Sequence, residues 1–180
     1  IINNNFNIEK IISFHGIKKG IENTNYLLKS KNNKYILTIF EKRVLKKEIP
    51  FFMELMDILN SFKISCPKPL KTKNKNYLIK LKKKSACVVS FLEGKDKKLL
   101  KTNDCFAIGK SIARMHIITK KIKLNRKNSM GINNLEPLLK SIKFKSKDTT
   151  NLKNFLKNNL KNIRKNWPKK LPKGIIHGDL

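Results

Sequence analysis

A histidine, a glycine and an aspartate stand together at His177-Gly178-Asp179, directly after Ile175 and Ile176. An apolar pair leading into an acid reads as a buried strand that delivers a carboxylate into a loop. Transfer of a phosphoryl group to an alcohol needs such a carboxylate, because a fixed base must orient the hydroxyl and accept its proton. A neighbouring histidine such as His177 can hold the loop through backbone hydrogen bonds. Alone the triplet is a weak signal, and a turn after a strand explains it equally well.

A second group lies between Gly16 and Asn25. Gly16 and Gly20 permit close backbone approach to phosphates, and Asn23, Thr24 and Asn25 add side-chain donors. The stretch is not a Walker A and does not open a helix, so a dinucleotide-binding reading fails. The third group is Val89-Ser90-Phe91-Leu92-Glu93-Gly94. An apolar strand running into a connector can offer the backbone of Ser90, Phe91 and Leu92 to the edge of an adenine. Histidine and cysteine form no metal-ligand cluster. His116 fits the apolar face of a helix, and Trp167, between Asn166 and Pro168, reads as a packing residue.

The elements that must position these groups follow from periodicity. Ile11–Ile17, Tyr26–Lys29 and Tyr35–Phe40 read as strands, the last two joined by a turn at Ser30–Asn33. The 16–25 stretch between the first two reads as a loop. Phe51, Phe52, Leu55, Met56, Ile58, Leu59 and Phe62 recur at three- and four-residue spacing, which predicts a buried amphipathic helix with Pro50 in its first turn. Tyr77–Leu81 and Ala86–Phe91 predict a further strand pair across a lysine turn. Asn103 or Asp104 is expected to cap a helix through Ile118, with Phe106, Ile108, Ile112, Ala113, Met115 and His116 facing inward. Two more helices are expected near 135–143 and 150–166. The order is a small sheet lobe with one helix, a connector, and a helical lobe.

The chain has 180 residues, which suits one domain or two small lobes. Its formal net charge is +30, a value that invites a nucleic-acid reading. The kind of cation argues otherwise. Arg43, Arg114, Arg126 and Arg164 are the arginines among 42 basic residues. Bidentate contacts to phosphate and guanine favour arginine, so a chain selected for them should be richer in it. The lysines are also spread over the whole length, alongside many Asn and Ile, as drift in an AT-rich genome would write. Specific nucleic-acid binding is therefore not expected. No apolar stretch reaches the ~18–20 residues of a membrane span. Cys66, Cys87 and Cys105 form no CxxC pair, which points to free thiols and a cytoplasmic setting.

Seven stretches, taken in order, resemble a known family. They are GIKKGIENTNYLL (16–28), KYILTIFEKRV (34–44), EIPFFMELMDIL (48–59), ISCPKPL (64–70), CVVSFLEG (87–94), IGKSIARMH (108–116) and LPKGIIHGDL (171–180). Together they resemble the homoserine kinases, relatives of the aminoglycoside phosphotransferases and choline kinases. The resemblance implies an α+β, bilobal protein-kinase-like fold: an antiparallel-sheet N-lobe with one helix at 1–89, a hinge at 90–94, and the first part of a mostly helical C-lobe at 95–180. It implies ATP with Mg²⁺, and transfer of the γ-phosphoryl group to the hydroxyl of L-homoserine. Aminoglycoside, choline or hydroxylysine acceptors are the alternatives on the same scaffold. Asp179 takes the place of the catalytic base with His177 beside it. Gly16, Gly20, Asn23, Thr24 and Asn25 take the phosphate-covering loop, and Ser90, Phe91 and Leu92 the adenine edge.

Two departures from the family pattern stand out. The third-strand lysine that grips phosphates falls on Thr38, and its helix glutamate partner falls near Phe52. Lys42 or Arg43 could supply the charge instead. The family motif HGDxxxxN would place its Asn at 184, and a metal-binding Asp later still, so metal ligands are expected beyond Leu180. With Ile1 in place of a start Met, the 180 residues read as an internal piece that is inactive by itself.

Overall fold

The computed structural model describes residues 1–18, 22–41, 45–95, 97–128, 131–143 and 147–178. They form two compact units: Ile1–Asn125 with the last residues from Ile175 onward, and Arg126–Gly174.

The first unit is built on a five-stranded antiparallel sheet in the order β1-β2-β3-β5-β4. Its strands are β1 (Ser13–Ile17), β2 (Asn23–Lys29), β3 (Lys34–Phe40), β4 (Leu78–Leu81) and β5 (Lys84–Ser90). β5 reads as a continuous apolar run because both of its faces are covered. Ala86 and Val88 pack with Leu28, Leu37, Ile79 and Phe6 on one face. Cys87 and Val89 pack with Ile49 and Met53 on the other. The turn between β4 and β5 places Lys82 and Lys83 at φ 43° and 70°, left-handed backbone in which a two-residue hairpin matches the twist of its strands.

The second face is covered by α2 (Ile49–Ser61), which carries proline in its first turn as expected and follows a 3₁₀ turn at Lys46–Glu48. Its buried residues are Ile49, Met53 and Leu59. Phe62 lies just past the helix end and is 52% exposed, because the chain leaves helical geometry there. The first face is closed by the N-terminal segment. Helix α1 (Ile2–Asn5) leads into Phe6, which is 1% exposed and bridges to Thr72.

Helix α3 (Thr102–Thr119) matches its expected span, but two details differ. The N-cap position is Lys101. Asp104 sits one turn in, accepting the Lys101 N–H on Oδ2 at 3.0 Å and pairing with Lys97. Its expected inner face is largely uncovered: Phe106 is 73% exposed, and Ile108, Ala113 and His116 are exposed too. Periodicity marks an apolar stripe, and burial needs a partner surface that the described residues do not supply.

The second unit holds α4 (Ile132–Ser141) and α5 (Lys147–Lys165), which pack on each other, with Glu136 paired to Arg164 at 3.2 Å and Lys140 at 3.5 Å. α4 starts three residues before the expected point, behind Gly131, whose carbonyl accepts the Asn134 N–H. Ile175 and Ile176 are not a buried strand. They pair with no described strand, and Ile176 is 64% exposed.

Candidate active site

Among the described residues of the expected loop from Gly16 to Asn25, most are ladder. Gly16 lies in β1 opposite Tyr26, and Asn23, Thr24 and Asn25 lie in β2 opposite Phe40, Ile39 and Thr38. Cross-strand pairing overrides the low strand preference of asparagine here. A Cβ added at Gly16 would meet Tyr26 Cε1 at 3.8 Å, an ordinary contact, so sterics do not demand glycine at that position. Gly20 lies outside the described residues, as do Lys42 and Arg43.

Alternation along β2 then sorts the three polar residues. Thr24 shares a face with Ile39, and its hydroxyl donates to Glu41 Oε1 at 2.8 Å, where Lys84 also pairs. Asn25 shares the opposite face with Thr38. The Thr38 hydroxyl donates to Asn25 Oδ1 at 2.9 Å. Asn23, on that same side of β2, accepts the Glu41 N–H on Oδ1 at 3.4 Å.

Asn25 and Thr38 open into a cavity of about 480 Å³ between the sheet and α2. Strand residues Ile17, Ile36, Phe40 and Val89 line it, with Phe52 and Met56 from α2. Its wall is otherwise apolar apart from the Cys87 thiol, which burial pushes up to about 12 and so keeps protonated and inert. The two positions where a lysine and a glutamate were expected, Thr38 and Phe52, thus face the same cavity. A cross-strand hydrogen bond and a packed ring stand where an ion pair would.

The connector begins one residue beyond the cavity wall. Ser90 donates its N–H to Lys68 O at 2.8 Å and receives the Lys68 N–H on Oγ at 2.8 Å. Phe91 donates its N–H to Lys34 O at 3.2 Å. The Lys34 ammonium lies 5.4 Å from the Phe91 ring centroid and 2.7 Å from Glu93 Oε1. Residues on both sides of Leu92 are therefore pinned. Leu92 itself makes no backbone hydrogen bond to any described residue, which leaves its N–H and C=O available.

Gly178 has φ +82°, the left-handed region that glycine enters without a Cβ penalty. His177 before it is exposed and bonds to no described residue. Asp179 lies outside the described residues. Among the described residues no three His, Cys, Asp or Glu side chains gather as a metal cluster. Cys66, Cys87 and Cys105 are free thiols. No helix among the described residues is long and apolar enough to cross a membrane.

Comparison with known proteins places this arrangement. The model of the phosphotransferase enzyme family matches residues 13–180. The chain belongs to that family. Homoserine kinase from Parvibaculum lavamentivorans is 36% identical over 136 residues, covering 76% of this chain and 42% of that protein. Homoserine kinase from Paramagnetospirillum magneticum is 35% identical over 176 residues, covering 97% and 54%. The chain thus spans about half the length of the curated relatives it matches. Among solved structures, spectinomycin phosphotransferase in complex with ADP and spectinomycin superposes with a TM-score of 0.58 at 14% identity, over 95% of this chain and 57% of the other. The fold of this chain is therefore the protein-kinase-like one of the aminoglycoside phosphotransferases.

What sequence reasoning missed is the lock on Asn25 and the opposite facing of Thr24. The signal was present: the two are adjacent, and adjacent residues of a strand face opposite ways. It could be used only once 23–25 was known to be strand.

Proposed function

We propose that the protein is an ATP-dependent kinase that phosphorylates the hydroxyl of L-homoserine to give O-phospho-L-homoserine. The nucleotide half of this reading is carried by one observation. The cavity under the sheet is apolar, ends in a paired amide and hydroxyl, and has in its wall Val89, three residues before Leu92, whose N–H bonds to no described residue. Sites for flat apolar ligands with a polar end have this character. The acceptor half is supported by the names of the relatives at 34–36% identity.

In this reading the lobes divide at 1–89, 90–94 and 95–180. The base lies against Ile36 and Val89, and the Leu92 N–H donates to its edge. Asn25 and Thr38 face the phosphates, with the Gly16–Asn25 segment above them. ATP supplies the phosphoryl group. Asp179 accepts the proton of the acceptor hydroxyl, and His177 steadies the Gly178 turn that presents it. Magnesium would neutralise the phosphates, and its ligands are not a preformed cluster among the described residues.

Asp179→Asn in the full-length protein tests the assignment. The amide still bonds the hydroxyl but cannot take its proton, so kcat should fall roughly 10²–10⁴-fold while KM for ATP barely moves. Melting curves run alongside exclude misfolding. A kcat within a few-fold of wild type would show that Asp179 is only a turn residue.

A further inference from the structure

We propose that Asn25 is the residue by which this site tells a phosphorylated nucleoside from a bare one, and that Thr38 is the positioning residue that aims it. The inference rests on the nucleotide reading of the cavity and deepens it.

Twelve side chains line the cavity, and Asn25 and Thr38 are its amide and its hydroxyl. A threonine hydroxyl has one proton, and here it is directed at Asn25 Oδ1 at 2.9 Å. The carboxamide oxygen is thereby occupied. Its Nδ2 carries two N–H donors and bonds to no other described residue. With Oδ1 turned to the Thr38 hydroxyl, the edge left over is the one that carries the Nδ2 protons. What remains at this end of an apolar cavity is a donor edge, half-buried and without an acceptor among the described residues.

A donor edge selects an acceptor. A phosphate oxygen is the acceptor that an adenine nucleotide carries and adenosine lacks, and hydrogen bonds to ionised groups are about twice as strong as neutral ones. Position agrees with this. Asn25 and Ile17 pair where β1 and β2 open toward the segment that links them, away from the Val89 end where the connector begins. Contacts at the Val89 end are with the base and are common to both ligands. The Asn25 contact belongs to the phosphate alone.

The test is calorimetric titration of ADP and of adenosine, at fixed salt, into full-length wild type, Asn25→Asp and Thr38→Val. Asn25→Asp keeps the acceptor for the Thr38 hydroxyl but replaces the donor edge with a negative charge. It should weaken ADP at least about tenfold, the loss of one charge-assisted hydrogen bond, and leave adenosine within about twofold. Thr38→Val frees the amide to rotate and should weaken ADP by a smaller factor, again sparing adenosine. Thr38→Ser, which keeps the hydroxyl, should restore wild-type ADP affinity. If Asn25→Asp leaves ADP unchanged, or weakens ADP and adenosine alike, the inference is overturned while the nucleotide reading stands. If wild type binds neither ligand, both fall together. Should Asn25→Asp fail to fold, the Thr38→Val and Thr38→Ser pair decides by the same ratio of ADP to adenosine affinity.

Discussion

Glu9 accepts hydrogen bonds across the Ser30–Asn33 turn from Ser30 Oγ at 2.8 Å, Asn32 N at 3.0 Å and Asn32 Nδ2 at 3.0 Å. The Asn32 side-chain bond comes first among the causes that lower its pKa from 4.5 to about 2, followed by the Asn32 backbone and Ser30. A depressed carboxylate contributes stability above its unfolded pKa, and that contribution is lost as pH falls through the folded value. The window therefore runs from about 4.5 down to about 2. Glu9→Gln should lower Tm at neutral pH and flatten the dependence of Tm on pH within that window. Equal slopes for the two proteins would show that the carboxylate is not tied to the turn. Nothing at Glu9 was legible in the sequence, because its partners lie more than 20 positions away and no motif marks such a clamp. The chemistry-bearing residues were legible as types: Asn25 and Thr38 were singled out from the residues and from family resemblance. Their mutual bond was not, since it depends on the β2–β3 register.

At the scale of elements, α2 forms where its pattern predicts, but of the expected stripe Leu59 is buried, Phe51, Phe52, Leu55, Met56 and Ile58 are half-buried, and Phe62 is exposed. The helix's other buried residues, Ile49 and Met53, lie one turn apart outside that stripe. Met53 is 2% exposed and packs with Cys87 and Val89 under the sheet. Met53→Ala should cost about 2–5 kcal/mol in urea denaturation, the loss of buried groups plus an incompletely closed cavity. Phe62→Ala should cost under about 0.5 kcal/mol, because that ring lies past the helix end in solvent. Equal losses would mean that the spacing, which includes Phe62, describes burial better than the structure does. All five strands were legible to within a few residues. The strand expected at Ile175–Ile176 failed for a physical reason: apolar residues make a strand only where a neighbour offers ladder hydrogen bonds. The inner face expected on α3 failed likewise, for want of a covering surface among the described residues. Helical period identifies a stripe and is silent on what meets it.

For the whole molecule, the net charge of +30 over 180 residues is the dominant fact. Self-repulsion of that size opposes compaction, and salt screens it over about 10 Å at 0.1 M. Raising NaCl from about 50 to about 500 mM should therefore raise Tm, and the same change should abolish retention on unrelated RNA. A Tm that falls with salt would mean that ion pairs such as Lys34–Glu93 and Arg164–Glu136 outweigh the repulsion. Charge alone gives a misleading answer about function, since composition is global and the cavity is local. The order of motifs pointed to the fold and family, which comparison then bore out. Phosphorus NMR of the full-length protein with ATP, magnesium and L-homoserine tests the central claim most directly. A phosphomonoester signal should grow in step with ADP, and choline, hydroxylysine or an aminoglycoside in place of L-homoserine should give little. ATP consumed no faster with L-homoserine than without it, or a clear preference for another of these alcohols, would contradict the account.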